Sequence, residues 1–299
     1  MSFRQIDYVI AVAETGSTAA AARLLNVSQP SVSLAVGKIE AALGQPLFFR
    51  SPGQGLEPTA FGARKLADMR SLRQHAETTL GQGTPVLDLG TFATLGPRYV
   101  PSLVRAFREH HPEAEIRIHE ADLETLFRWM TSGRIETALI YSFGLPQDVE
   151  ITPLREIRPY ALVSADHRLA ARHAVDLADL LADPLVLINL PHSRGYFLSL
   201  AQMHGISPTI AFETESIEML RSMVANGFGV GLLATDIPHD SAYDGNPLRM
   251  LRLAGDLAPH TIALAHRTDR HKSDLHIAFA LFAREYFRNG RDGVHGGRT

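Results

Sequence analysis

Three groups of side chains have types and spacing suited to chemistry. The first is Gln29-Pro30-Ser31 with Ser33, then Lys38 farther along and Arg50 beyond it. A glutamine amide can pair with the two major-groove groups of adenine, and a serine hydroxyl can donate or accept there. Arg50 is placed to reach a phosphate. The second group is Thr91, Thr94, Tyr141, Ser142, Ser193 and Arg194, each where a strand pattern ends or a helix pattern begins. Hydroxyls and free N–H groups at such positions can hold an anion, and Arg194 could grip a carboxylate. The ligand expected from them is a small organic acid, aromatic acids included. Capping and turn chemistry explains the same residues equally well. The third group centres on Ser193 in Leu190-Pro-His-Ser-Arg-Gly195, with Asp236 or Asp240 and His260 or His266 downstream. That order suits a serine hydrolase, but Pro191 stands where a nucleophile elbow requires a small residue. Two other patterns fail on context. Gly227-x-Gly229-x-Gly231 runs from a helix into a strand, the reverse of a dinucleotide loop, and the 14 histidines lack the spacing of a zinc site. No cofactor and no metal are expected.

The elements that must position these groups fall into three zones. Phe3, Ile6, Val9, Ile10 and Ala13 recur at helical spacing, and Gly16 ends that helix. Ser17 can cap a second, alanine-rich helix to Leu25. Ser28 can cap a third, with Pro30 in its first turn and Gly44 at its end. Leu47–Arg50 and Leu56–Thr59 flank Ser51-Pro-Gly-Gln-Gly55 as a short wing. This reads as a helix-turn-helix, although a three-helix packing module that touches no DNA has the same pattern. Residues 59–82 form one helix. Its apolar stripe of Leu66, Met69, Leu72, Ala76 and Leu80 suits a two-helix coiled coil or packing on its own domain. From Pro85, strand and helix patterns alternate as in a doubly wound α/β fold, whose ligands sit beyond the strand ends. Trp129 belongs to core or subunit packing.

The chain has 299 residues, enough for about two domains, and no cysteine, which excludes a disulfide scaffold and a thiol redox switch. The N-terminus has no signal peptide or membrane span, so the cytoplasm is the expected location. The formal net charge of −3 hides an asymmetry. Residues 1–83 carry eight Lys or Arg against six Asp or Glu; the remainder carries 21 against 26. Few phosphate contacts per subunit and a modest salt slope are expected.

The run from Ala11 to Gly62 closely resembles the winged helix-turn-helix of LysR-type transcriptional regulators. The resemblance lies in the alanine-rich second helix, Val27-Ser-Gln-Pro-Ser-Val-Ser33, Ile39-Glu40, Leu43-Gly44, Pro46-Leu-Phe, Arg50, Thr59 and Gly62. Leu34, Ala35 and Pro58 depart from it; the first two stand where the family often has polar side chains. Residues 85–288 resemble the family's two-lobed, periplasmic-binding-protein-like effector domain. The matches include Leu89-Gly90, His111-Pro112, Gly133-Arg-Ile-Glu-Thr-Ala138 and Asn226-Gly-Phe-Gly229. Thr94 matches an effector-contact position, whereas Phe92 and Leu123 replace small polar residues and suggest an apolar cleft.

The resemblance implies a DNA-binding domain over 1–58, a dimerisation helix over 59–84 and an effector domain over 85–290. Lobe I would span about 85–160 and 267–290, lobe II about 161–266, with 291–299 a disordered tail. It implies a regulator rather than an enzyme. Such a regulator binds double-stranded operator DNA as a homodimer or homotetramer, senses a small molecule, and has RNA polymerase as a further partner. Two recognition helices about 34–36 Å apart would read an interrupted inverted repeat. A solute-binding protein without regulation is the alternative, and the hydrolase a weaker one.

Overall fold

The computed structural model describes residues 2–51, 55–80, 84–255, 257, 259–270 and 272–290. The expected tail at 291–299, the wing tip at 52–54 and the linker at 81–83 lie outside the described residues. Ser2, Ser17 and Ser28 each accept the backbone N–H three residues on. They start α1 (Phe3–Thr15), α2 (Thr18–Leu24) and α3 (Gln29–Leu43). Each such cap contributes about 1 kcal/mol. Gly16 and Gly44 then end α1 and α3 in the left-handed conformation.

The wing is antiparallel β1 (Phe48–Ser51) and β2 (Gly55–Pro58), and α4 (Ala60–Thr79) follows. Glu40 ties α3 to the wing by accepting the N–H groups of Leu47 and Phe48, at 2.8 and 3.3 Å. Thr59 donates its hydroxyl to Pro46 O at 2.9 Å and accepts the N–H of Gly62 at 2.8 Å. A Cβ on Gly62 would stand 1.9 Å from Leu47 O, so only glycine permits α4 to lie this close to the wing. These contacts give the Glu40, Thr59 and Gly62 signature its physical reason.

The apolar stripe of α4 divides. Leu66 and Met69 are buried with Ile6, Val9, Val32 and Ile39 in the core of the N-terminal module. Leu72 and Leu80 are 47% and 67% exposed. Packing on its own domain therefore holds for the first half only.

The second unit begins with β3 (Val86–Phe92), α5 (Gly96–His110), β4 (Glu115–Ala121), α6 (Leu123–Thr131), β5 (Thr137–Tyr141) and β6 (Val149–Ile157). The chain then crosses at 158–159. Next come β7 (Tyr160–Ser164), β8 (Ala174–Val175), α7 (Leu177–Leu181), β9 (Leu185–Ile188), α8 (Ser193–Met203), β10 (Ile210–Thr214), α9 (Ile217–Ala225), β11 (Val230–Leu233) and β12 (Leu248–Leu253). It returns as β13 (His260–Arg267) and α10 (Asp274–Arg288). Lobe I is the sheet β4-β3-β5-β13-β6, and lobe II is β10-β9-β11-β7-β12-β8. Arg158 donates to Leu257 O at 3.0 Å and joins the two crossings.

Two details correct the sequence reading. β13 runs antiparallel to β5 and β6, so residues 260–266 belong to lobe I rather than lobe II. β6 and β12 went unrecognised. Pro153 interrupts β6, which tolerates it because β6 is an edge strand with a register shift at that point. The burial of β12 does not alternate along the strand, so it carries no two-residue period.

Lobe I also holds α4. Arg270 donates to Asp68 at 2.7 Å, to Arg64 O at 3.2 Å and to Thr131 O at 3.0 Å; Arg70 donates to Ser132 O at 3.1 Å. Gly133 lies so close to Ala67 that a Cβ would meet its methyl at 2.2 Å.

Candidate DNA-reading face and effector pocket

α3 buries Val32, Ala35, Val36 and Ile39 on one face. Its opposite side leaves Gln29, Pro30, Ser31, Ser33, Leu34 and Lys38 exposed, in the i, i+4 rows expected of a helix that enters a groove. The Gln29 amide donates to the Thr18 hydroxyl at 3.3 Å, and the Ser31 and Ser28 hydroxyls bond at 2.7 Å. These bonds preset side chains that remain open to solvent. Ala35 is 3% exposed and belongs to the core, so its departure from the family pattern removes no surface contact. Leu34, 60% exposed, is the change that alters the reading face. Arg50 pairs with Leu56 in the wing through its main chain; its side chain lies outside what is described.

Between the lobes lies a pocket of about 350 Å³. Lobe I supplies Thr94, Tyr141, Phe143 and His260; lobe II supplies Ser193, Tyr196 and Thr235 over a floor of Ile188, Ile217 and Leu233. Of the residues expected from sequence, Thr94, Tyr141 and Ser193 meet here. The other three do not line it. Thr91 is buried and bonds the Phe92 carbonyl, and the backbone N–H of Ser142 extends the β5–β13 pairing to Thr261 O. Arg194 is bonded twice to Glu213, at 3.1 and 2.9 Å. The carboxylate grip expected of it is thus already occupied within the chain. Phe92 and Leu123 are core residues; the pocket is apolar for a different reason, namely Phe143, Phe197 and the aliphatic floor.

One wall is a hydroxyl chain. Tyr141 bonds Thr235 at 2.5 Å and Thr94 at 3.4 Å, and Tyr160 donates to Thr235 O at 2.9 Å. Just behind it, Asp236 of lobe II accepts from Tyr99 and takes Arg98 at 3.6 Å, so two lobe I residues hold lobe II. Burial raises the Tyr141 phenol to about 12, keeping it a neutral donor.

The opposite wall is not satisfied. Tyr196 Oη and His260 Nε2 are both out of solvent contact and lack a hydrogen-bond partner among the described residues. Burial alone pushes His260 down to about 4, so the ring is neutral near pH 7. Each orphaned group costs about 1–3 kcal/mol. Tyr196, Phe143 and Thr235 were not anticipated, and His260 was expected only as a hydrolase partner of Ser193. Their positions, 64 residues apart between Tyr196 and His260, carry no spacing that would link them.

Ser193 and His260 share the pocket, but His260 has no carboxylate partner among the described residues. Asp236 is held by Tyr99 and Arg98, and His266 bonds Glu150. No Ser-His-Asp arrangement exists among the described residues.

A winged helix-turn-helix joined through a helix to a two-lobed receptor defines a one-chain sensor and DNA reader. The profile described as "Bacterial regulatory helix-turn-helix protein, lysR family" matches residues 3–63, and "LysR substrate binding domain" matches residues 81–288. The chain belongs to the LysR family of transcriptional regulators and is not an enzyme. It is similar to the crystal structure of HinK, a LysR family regulator from Pseudomonas aeruginosa, at 35% identity and TM-score 0.66. That match covers 96% of this chain and 98% of HinK. It is 26% identical to CbnR, whose full-length structure was determined with its target DNA, over 96% of this chain and 100% of CbnR at TM-score 0.57. A hydrogen peroxide-inducible genes activator of Pectobacterium carotovorum subsp. carotovorum is 27% identical, over 82% of this chain and 84% of that protein.

Proposed function

We propose that this regulator binds an interrupted inverted-repeat operator through Gln29, Ser31, Ser33, Lys38 and Arg50 of paired modules, and changes its DNA contacts when a small molecule fills the inter-lobe pocket. The observation that carries the reading is a pocket with unsatisfied polar groups between two lobes, of which lobe I also holds the linker helix. The Arg270 and Arg70 bonds to α4 and α6 supply a physical link between pocket and DNA module. Ligand control requires different affinities for two states, and a lobe movement that shifts lobe I against α4 supplies them.

Leu72 on α4 and Leu80 just past its end, both left exposed, support pairing with a second copy as a homodimer, with a tetramer as the higher assembly. RNA polymerase is the further partner at the promoter, and the cytoplasm the location. No helix among the described residues is long and apolar enough to cross a membrane. The peroxide response named for the Pectobacterium relative does not carry over through a thiol, because this chain has no cysteine. A solute-binding protein without regulation would leave the exposed face of α3 without a use.

The test is a gel shift of the full chain with DNA upstream of its own gene at moderate salt. A sequence-selective shift is expected, with a footprint of two half-sites about one helical turn apart. Absence of any selective shift would sink the regulator reading.

A further inference from the structure

The receptor domain belongs to a family described by substrate binding, and Arg194 led the sequence reading to an acidic ligand. The pocket itself has different chemistry. Among the described residues, none of those lining it is lysine or arginine. Arg194 and Arg98 are committed elsewhere, to Glu213 and Asp236. A carboxylate moved into such a space loses its hydration with no cation to replace it.

The walls favour flat, uncharged surface. Tyr141 and Phe143 stack at 5.6 Å with planes 15° apart, and Phe143 and Tyr196 at 6.2 Å with planes 17° apart. The His260 ring meets Tyr196 at 3.9 Å, tilted by 69°, and Phe143 at 5.3 Å. Aromatic surfaces of this kind hold a ring through offset or edge contacts. At one place this apolar wall is polar: the unpaired Tyr196 hydroxyl and His260 Nε2. A phenol donates, and a neutral imidazole nitrogen donates or accepts according to its tautomer. A single oxygen or amide group on a ligand ring can meet both.

We propose that the effector is an uncharged, single-ring aromatic molecule bearing one carbonyl, amide or hydroxyl group, read by Tyr196 and His260, and that carboxylates are disfavoured. This rests on the pocket being the effector site of a regulator. Phe143 and Tyr196, with planes 17° apart at 6.2 Å, and the His260 edge offer the contacts of one ring. The depressed basicity of His260 agrees with it, since a site built for an anion would hold that imidazole charged.

The experiment is isothermal calorimetry on the full chain at pH 7.5 with near-isosteric pairs of a neutral amide and its carboxylate: benzamide and benzoate, nicotinamide and nicotinate, salicylamide and salicylate. At least one amide is expected to bind at least tenfold more tightly than its carboxylate. Tyr196→Phe and His260→Phe, which keep the ring packing, are each expected to weaken that amide about fivefold or more. Arg194→Ala is expected to leave it unchanged. Tighter binding of the carboxylates, equal binding within every pair, or no binding by any of the six overturns the proposal. So does an amide affinity that both variants leave intact. The operator gel shift without ligand is run on the same preparations. A selective shift alongside preferred carboxylates rejects the ligand class alone, whereas loss of the shift in the wild-type chain rejects the regulator reading beneath it.

Discussion

The reading face of α3 and the inter-lobe pocket handle polar groups in opposite ways. On α3, Gln29, Ser31, Ser33 and Lys38 remain exposed, and two of them are already bonded, Gln29 to Thr18 of α2 and Ser31 to Ser28. In the pocket, Tyr196 and His260 have lost water and gained nothing. A DNA reader meets a hydrated, charged partner over a wide surface and can keep its groups solvated until contact. A receptor for a small molecule must gain its affinity from few atoms, so desolvation already borne by the empty site favours the ligand that ends it. Under the proposed function, the first face tunes sequence preference and the second gates a conformational equilibrium.

The largest expected effect would separate the two regions outright. Gly62→Val forces a side chain against Leu47 O, where even a Cβ would stand at 1.9 Å. The N-terminal module should lose about 3 kcal/mol of stability. DNA binding should fail while the lobes keep their thermal transition and bind ligand; loss of both together would show that the units fold as one. Next, Leu72→Glu with Leu80→Glu removes the exposed half of the α4 stripe. Dimerisation should weaken by about 2 kcal/mol or more, read by sedimentation, with affinity for paired half-sites falling in step. Pocket affinity should not move.

Smaller changes sharpen the reading face. Gln29→Ala should cost about 1–2 kcal/mol of discrimination at one base pair. Lys38→Ala should lower the salt slope of binding by about one unit per subunit without altering base preference. Equal loss on all sequences for Gln29→Ala would remove it from base reading.

The smallest effect tests the pocket by pH. Folding lowers the basicity of His260 to about 4 from an ordinary value of 6.5, so the folded state favours the neutral ring. Its contribution is fully present above pH 6.5 and is lost as pH falls toward 4. The melting temperature of the lobes should decline less steeply across that window in His260→Phe than in the native chain.

The N-terminal module was legible almost to the residue, because its signals are local. Ser28 lies three residues from the N–H it caps, and Gly44 ends the helix it follows. Even Gly62 contacts a carbonyl only 15 positions away. The core and outer strands of the lobes were read unevenly: β3 and β5 announce themselves by apolar runs, whereas Pro153 concealed β6. Within the pocket, Thr94, Tyr141 and Ser193 were found because strand ends and helix starts are visible in one dimension. His260 was noticed only as a partner for a hydrolase that the structure does not build.

Sequence alone determined the caps, the polar start of α3, the existence of a linker helix and the absence of thiol chemistry. Each depends on residue type and on neighbours within a few turns. Tertiary structure decided which half of the α4 stripe is free, that β13 returns to lobe I, and that Arg194 answers Glu213 rather than a ligand. It also decided that Tyr196 and His260, 64 residues apart in sequence, meet in the pocket. Those outcomes depend on which distant segments share a sheet and which charges find each other first, and desolvation acts only after the lobes have closed around a side chain.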